Sequence, residues 1–384
     1  MSASPTTPPV RSVKRRQRHK RSFKRIGGPF LAGLLVLLAI AAWLFVLMDG
    51  PDSHQRQMAA LPAPTAPISI SADTLVHLPR DDAPHHNTTE WWYYNGHLHT
   101  EAGQRYAYHV AVFLRRALAD HTMFHVSLVD LQTGKHYTGQ ARTEGIPALP
   151  RQDGFDFNYA GWQVAGSGPQ HRLNIVMEDF SFALDLADVH PPTLHQAPGV
   201  GGPGLLDFKT AGKSFYYSRM RIPTHGTLTV GGVSRQVTGQ SWFDHQWGDF
   251  LGTDVGWNWF AIQLDDGADI MLYQVFDPQG KPLLQAGTYK RDGQTIALGK
   301  DDYALKSIGS WTSPDSQVTY PVAWALSIPS QKLELTAKPF VNACEFNGLA
   351  SILTIYWEGP ILIGGSSQGV GYLELSGYNK TSKK

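Results

Sequence analysis

Beyond about residue 73 the chain consists of short runs of alternating apolar residues broken at Gly, Asp and Asn. There is little sign of the 3.6-residue period of an amphipathic helix. Residues 91–98 and 106–114 flank a turn at 99–105, and residues 124–131 lead to a turn at Gly134. Residues 173–175 and 180–186 continue the series, and 227–230 turn at Gly231 and Gly232. This pattern predicts an all-β body of antiparallel sandwiches or barrels. A weak internal repeat divides it. WWYYNGHL followed by YAYHVAVF (91–98, 106–113) is echoed by WNWFAIQL and MLYQVF (257–264, 271–276). Trp162 before 173–186 is echoed by Trp311 before 322–337. Duplication of one β domain follows, with the boundary expected near residues 225–238.

Residues 29–48 carry no charge, and 20 apolar residues at about 1.5 Å rise span a bilayer core of about 30 Å. Nine of the 33 Lys and Arg lie between Arg11 and Arg25, and no acid precedes Asp49. A basic flank holds that end in the cytoplasm. A cleaved signal peptide, cut near Ala59 and Ala60, is the competing reading, but its apolar region would be shorter. The expectation is a basic cytoplasmic tail (1–28), an anchor in the inner (cytoplasmic) membrane (29–48) and a Pro-rich linker (49–72). Two domains follow on the periplasmic, extracytoplasmic side (73–235 and 236–384). The remaining 24 bases against 32 acids give the body a net charge of −8, which argues against nucleic acid as a partner. Cys344 is the only cysteine, so no internal disulfide supports the fold, and a buried, inert thiol is expected.

Two motifs concentrate chemistry. In residues 90–98 strand alternation puts Trp91, Tyr93, Asn95 and His97 on one face and Trp92, Tyr94 and Leu98 on the other. Either one face lines a cavity or both are ordinary packing. Residues 239–249, GQSWFDHQWGD, combine Asp244, His245, Trp242 and Trp247. A carboxyl near indoles in an apolar site holds its proton and becomes a general acid, while indole faces favour a developing cation. The alternative is a structural turn with Asp244 capping backbone amides and His245 as a satisfied partner. Residues 189–206, rich in Pro and Gly, form either a lid over a pocket or a surface loop.

The DHQWG of 239–249, with Phe215, Tyr216, Tyr217, Ser218 and Arg219 upstream, resembles the AttH-like/carotenoid 1,2-hydratase family. So do EWWYYNGHL at 90–98 and GVGYLELSGY at 369–378. The likeness runs from about residue 73 to 377. It implies two tandem lipocalin-like β-barrel domains around an apolar cavity. Members of that family hydrate an isoprenoid double bond by protonating it without a cofactor, steer pericyclic cyclisations, or sit beside ABC-transporter components. The family's His-x-Trp element falls on His245 and Trp247. Its Tyr-x-Asp element has only Tyr273 here, because Val275 stands where the acid would be and Asp277 is followed by Pro278.

The expected function is a membrane-anchored protein that binds a hydrophobic, isoprenoid or lipid-like molecule in an aromatic-lined pocket. The alternatives are a cofactor-independent lyase of the hydratase type and an accessory subunit beside an ABC-transporter permease. The catalytic candidates are Asp244 as acid, His245 to orient it or activate water, and Trp247 and Tyr273 to stabilise the cation. The ligand-binding candidates are Glu90, Trp91, Trp92, Tyr93, Tyr94, Tyr216, Tyr217, Arg219, Trp242, Trp257 and Trp259. No cofactor is expected. His85, His86, His97, His99 and His109 cluster in sequence, but no zinc-type spacing accompanies them, so no metal is expected. Neither a serine nucleophile elbow nor a phosphate-cradling loop is expected.

Overall fold

The computed structural model describes residues 75–149, 151–199, 201–250 and 255–381. The tail, the anchor and the linker expected at 1–72 lie outside the described residues. Among the described residues no helix is long and apolar enough to cross a membrane.

The described residues are all-β apart from short helical turns, in two curled antiparallel sheets. The first holds β1 (Thr89–His99), β2 (Arg105–Arg116), β3 (Asp120–Asp130), β4 (His136–Glu144), β5 (Phe155–Tyr159), β6 (Trp162–Ser167), β7 (Gln170–Val176) and β8 (Phe180–Ala187). It also holds the short β9 (Thr193–Leu194) and β10 (Leu205–Asp207), then the long β11 (Lys213–Val230) and β12 (Val233–Gly248). The second holds β13 (Gly256–Leu264), β14 (Asp269–Phe276), β15 (Pro282–Arg291), β16 (Gln294–Leu298) and β17 (Ala304–Thr312). It continues with β18 (Thr319–Ile328), β19 (Leu333–Pro339), β20 (Glu345–Gly348), β21 (Thr354–Gly365) and β22 (Gly369–Ser376).

Strand order explains the internal echo in the sequence. The first sheet runs β4-β3-β2-β1-β12-β11-β8-β7-β6-β5, and the second β16-β15-β14-β13-β22-β21-β19-β18-β17. In each, the last long strand returns to pair with the first. The boundary expected between residues 235 and 236 therefore falls inside β12, and the chain changes sheets between Gly248 and Gly256. The Gly231–Gly232 turn reads as a domain end, but it only closes the β11–β12 hairpin. Among the described residues neither strand path closes on itself, so the units are half-barrels rather than the barrels expected.

Peripheral strands behave as half-buried strands do: β7 alternates exposed and buried residues along its length. The central strands do not. The half of β12 from Ser241 to Gly248 is buried without interruption, and β1 and β13 nearly so. One face of β1, β2, β11 and β12 packs Trp92, Tyr94, Val110, Tyr217, Phe243 and their neighbours into the first sheet's own core. The other face packs Tyr93, Ala111, Tyr216 and Trp242 into a core shared with the second sheet. Aromatic residues on both faces of one strand follow from this sandwiching.

Segment 189–206 is neither lid nor free loop. β9 and β10 pair with β11, and none of its described residues lines the cavity discussed next. Its His195 is buried between the sheets, bonded to Ser218 Oγ at 2.6 Å and Thr288 Oγ1 at 2.8 Å.

Candidate active site

A cavity of about 350 Å³ lies between the two sheets. Strand alternation decides which candidates reach it. β1 pairs with β12 so that Tyr93 stands opposite Asp244 and Trp92 opposite His245. Trp91, Tyr93, Asp244 and Gln246 face the cavity, joined from the second sheet by Trp257, Trp259 and Tyr273. His245 and Trp247 point the other way, into the first sheet's core, with Trp92, Tyr94 and Tyr217. The expected catalytic set is thus divided: Asp244 and Tyr273 meet, while His245 and Trp247 lie across a strand from them. Neighbours in a strand cannot share a face.

Asp244 is 3 % exposed. Its carboxyl accepts hydrogen bonds from Ser218, from Tyr216 OH at 2.6 Å and from Trp242 Nε1 at 2.6 Å, while Trp259 Nε1 donates to Tyr216 OH at 3.0 Å. Trp242 and Tyr216 therefore hold the acid rather than touch the cavity. Burial pushes Asp244 up to about 7, against the pull of those donors.

Two further carboxyls face the same cavity, and neither was among the candidates. Glu358 on β21 stands directly opposite Glu374 on β22, with Glu358 buried and Glu374 half-buried. Burial and then the neighbouring Glu374 drive Glu358 well above the carboxylate range, opposed by a hydrogen bond donated by Tyr93 OH. Burial raises Glu374 to about 7, although the Trp257 indole donates to it. His109 approaches Glu358 at 3.4 Å, but burial holds its imidazole neutral, so it supplies no counter-charge. Two like charges this close cannot both ionise, so the pair retains a proton. The sequence did carry a signal. Glu358 and Glu374 are single acids within apolar runs, YWEGP and YLELS.

The opposite face of β1 and β12 builds a different cluster. Glu90 Oε1 accepts from His85 Nδ1 at 2.7 Å and from His245 Nε2 at 2.8 Å. Trp247 stacks on His85 and Trp92 on His245, with ring centroids 4.2 and 4.5 Å apart. Burial opposes charge here too. The charge of Glu90 nevertheless lifts His85 to about 9, and the charge of His85 with both histidine hydrogen bonds holds Glu90 at about 2. Asp82 joins this network: Tyr217 OH donates to its carboxylate and Trp92 Nε1 to its carbonyl at 3.0 Å. Arg219 lies between Asp82 at 3.7 Å and Asp188 at 3.4 Å. Tyr94 OH bonds His171 Nδ1 at 2.7 Å. Glu90, Trp92, Tyr94, Tyr217 and Arg219 therefore lie in the first sheet's core, away from the cavity.

His85, Glu90 and His245 bring three ligand-type atoms within 4.8 Å of one another. Those atoms are hydrogen-bonded to one another, with Glu90 Oε1 between the two imidazoles, so a metal would have to displace both bonds and the proton on His85. His97 bonds the Gly371 carbonyl at 3.0 Å and His99 faces Thr238, so they form no ligand pair. Asp277 caps the turn after β14 through the amides of Gln279 and Lys281, away from Tyr273. Cys344 is buried, which pushes its thiol up.

The AttH-like family matches residues 69–378. No curated protein matches the chain. Among solved structures, an AttH-type protein from Nitrosomonas europaea superposes with a TM-score of 0.72 at 26% identity, covering 82% of this chain and 99% of its own. Kievitone hydratase from Nectria haematococca superposes with a TM-score of 0.63 at 19% identity, covering 75% of this chain and 88% of its own. The second likeness is one of fold.

Proposed function

This chain belongs to the AttH-like family, and on that premise we propose a cofactor-independent hydro-lyase. It takes a hydrophobic small molecule into the cavity between its sheets and adds water to, or removes it from, a carbon–carbon double bond. The supporting observation is that Asp244, Glu358 and Glu374 all face an aromatic-walled cavity in which burial favours their protonated forms. Acids near neutrality are what proton transfer at neutral pH requires. A fold of this kind also carries a hydratase in kievitone hydratase.

In the hydration direction an O–H bond of the Glu358–Glu374 pair breaks, and its proton forms a C–H bond with one alkene carbon. The cation left on the other carbon faces the rings of Trp91, Trp257 and Trp259. Water attacks it, a C–O bond forms, and the fraction of Asp244 that is ionised at neutral pH, with its value pushed up to about 7, takes the proton that water sheds. Transfer of that proton from Asp244 to the pair, directly or through water, restores the site. The membrane placement belongs to this proposal on sequence grounds, through residues 29–48, as does cargo exchange with an ABC-transporter permease.

The test is incubation of the full-length protein with lipophilic alkenes, isoprenoids among them, in ¹⁸O-labelled water. Label in a product, lost in Glu374→Gln and Glu358→Gln, is expected. Tight binding with no label in any product would leave a ligand carrier without chemistry. No binding at all would remove the cavity as a ligand site.

A further inference from the structure

The cavity differs in charge along its length. On the face of the first sheet that lines it, residues stand in rows across the strands. Tyr93, Ala111 and Asp244 make one row, and Trp91, Phe113 and Gln246 the next. Thr89 and Arg115 make a third. β3 adds Met123 to the second row and His121 to the third, and β4 places Arg142 beside Met123. At about 3.4 Å per residue, Arg115 stands about 14 Å along the strands from the Tyr93–Asp244 row.

Arg115, His121 and Arg142 all line the cavity. Elsewhere Arg116, Arg172, Arg219, Arg221 and Arg291 each hold a carboxylate. Arg115 is half-buried and has no ion pair or side-chain hydrogen bond among the described residues. Arg142 donates only to the Ser351 carbonyl, at 3.3 Å, and His121 Nδ1 is buried without a partner. Glu144 lies on the same side of β4, exposed, and pairs with neither arginine. Beside these cations Leu353 lines the cavity at 72% exposure, and Leu118 in the adjoining turn is fully exposed.

We infer that the cavity's ligand is an amphiphile with an anionic head, a carboxylate or phosphate. Arg115 and Arg142 hold the head, and the apolar body runs past Trp91 to the carboxyl groups. The inference rests on the cavity being the ligand site. Guanidinium forks suit both head groups, and Arg115, half-buried without a counter-ion, binds one best, while Arg142 is exposed at the rim. The reverse orientation fails, because among the described residues Arg115 and Arg142 are the arginines or lysines that line the cavity, and the other end presents the carboxyls of Glu358 and Glu374.

The experiment measures binding of monomeric dodecanoate, dodecyl phosphate and dodecanol to the full-length protein by tryptophan fluorescence. Both anions should bind about tenfold or more tighter than the alcohol, a difference that a charge-assisted hydrogen bond supplies. In Arg115→Gln/Arg142→Gln that preference should vanish while dodecanol affinity stays, which also shows the variant folded. Equal binding of alcohol and anions by the wild type, or a preference that survives the double substitution, overturns the inference and leaves the cavity reading intact. No binding of any probe overturns both. A second arm supplies vesicles of phosphatidylglycerol in phosphatidylcholine. Phosphatidylglycerol carried away by the wild type alone assigns a bilayer lipid as the source, and its retention in the vesicles assigns a free amphiphile.

Discussion

Two buried clusters stand back to back across the β1–β12 ladder, and their protons are arranged in opposite ways. Inside the first sheet, Glu90 at about 2 and His85 at about 9 form a sealed ion pair. Across the ladder, Asp244 and Glu374 sit near 7, and burial with the neighbouring Glu374 holds Glu358 well above the usual carboxylate range. Glu90, His85, Asp244 and Glu358 are all buried, so depth does not separate the two clusters. The difference is a cation within reach. Glu90 has an imidazolium at 2.7 Å, whereas Glu358 has another carboxyl opposite it and a neutral His109. The first arrangement fixes structure and the second stores transferable protons.

The repeat sharpens this contrast. Asp244 lies opposite Tyr93 across the β1–β12 pairing, and Glu374 lies opposite Trp259 across β13–β22, at the matching position of the second sheet. Their partners on the following strand differ. Asp244 faces Ser218, which donates to it, while Glu374 faces Glu358. One template thus presents a hydrogen-bonded acceptor from one sheet and a proton-sharing pair from the other.

The largest expected effect comes from breaking the ion pair. Glu90→Gln should cost about 3–5 kcal/mol of unfolding free energy near neutral pH, because it leaves His85 charged and buried without its main partner. Urea unfolding measures it, and a loss below about 1 kcal/mol would mean that the cluster is not ionised. Glu358→Gln should do the reverse. Turnover falls about 10²- to 10⁴-fold while stability changes by less than about 1 kcal/mol, since a neutral carboxyl and an amide are nearly isosteric.

The pH dependence of stability separates the clusters next. Glu90 stabilises above its ordinary value of 4.5, and that contribution is lost as pH falls through about 2. His85 stabilises fully below 6.5 and loses its contribution as pH rises through about 9. Asp244 and Glu374 favour the fold below 3.8 and 4.5, and that contribution disappears as pH rises through about 7. Unfolding midpoints across pH should therefore decline between about 4 and 7, less steeply in Asp244→Asn. A slope unchanged by that variant would return Asp244 to an ordinary ionised state. The smallest effect is expected from Tyr93→Phe, which removes one donor to Glu358 at about 0.5–1.5 kcal/mol of stability. It should move the pH–rate profile toward higher pH, and a profile that stays put would detach Tyr93 from the acid.

Much of this was legible in the residues. Alternation in WWYYNGHL already separated Trp91 and Tyr93 from Trp92 and Tyr94, and the structure keeps that division. The same rule divides Asp244 from His245, yet DHQW looks like one site when taken as a unit, because neighbouring residues differ in face but not in name. Glu358 and Glu374 are visible as lone acids in apolar strands. Their opposition is not visible in either run alone, because it follows from the register that the turn at 364–368 gives the β21–β22 hairpin. The pairing of His85 with Glu90 is hidden in the same way, because a short non-strand segment folds back to make it.

The sequence by itself determined the all-β class, the duplication and the two-residue period that assigns each side chain to a face. These follow from backbone geometry and turn chemistry, which act over a few residues. Only the tertiary structure decided which faces enclose the cavity, which acids meet there and which meet a cation. Those outcomes depend on strand register and on the packing of one sheet against the other. A carboxyl's protonation is set by solvent exclusion and by charges brought near it through space.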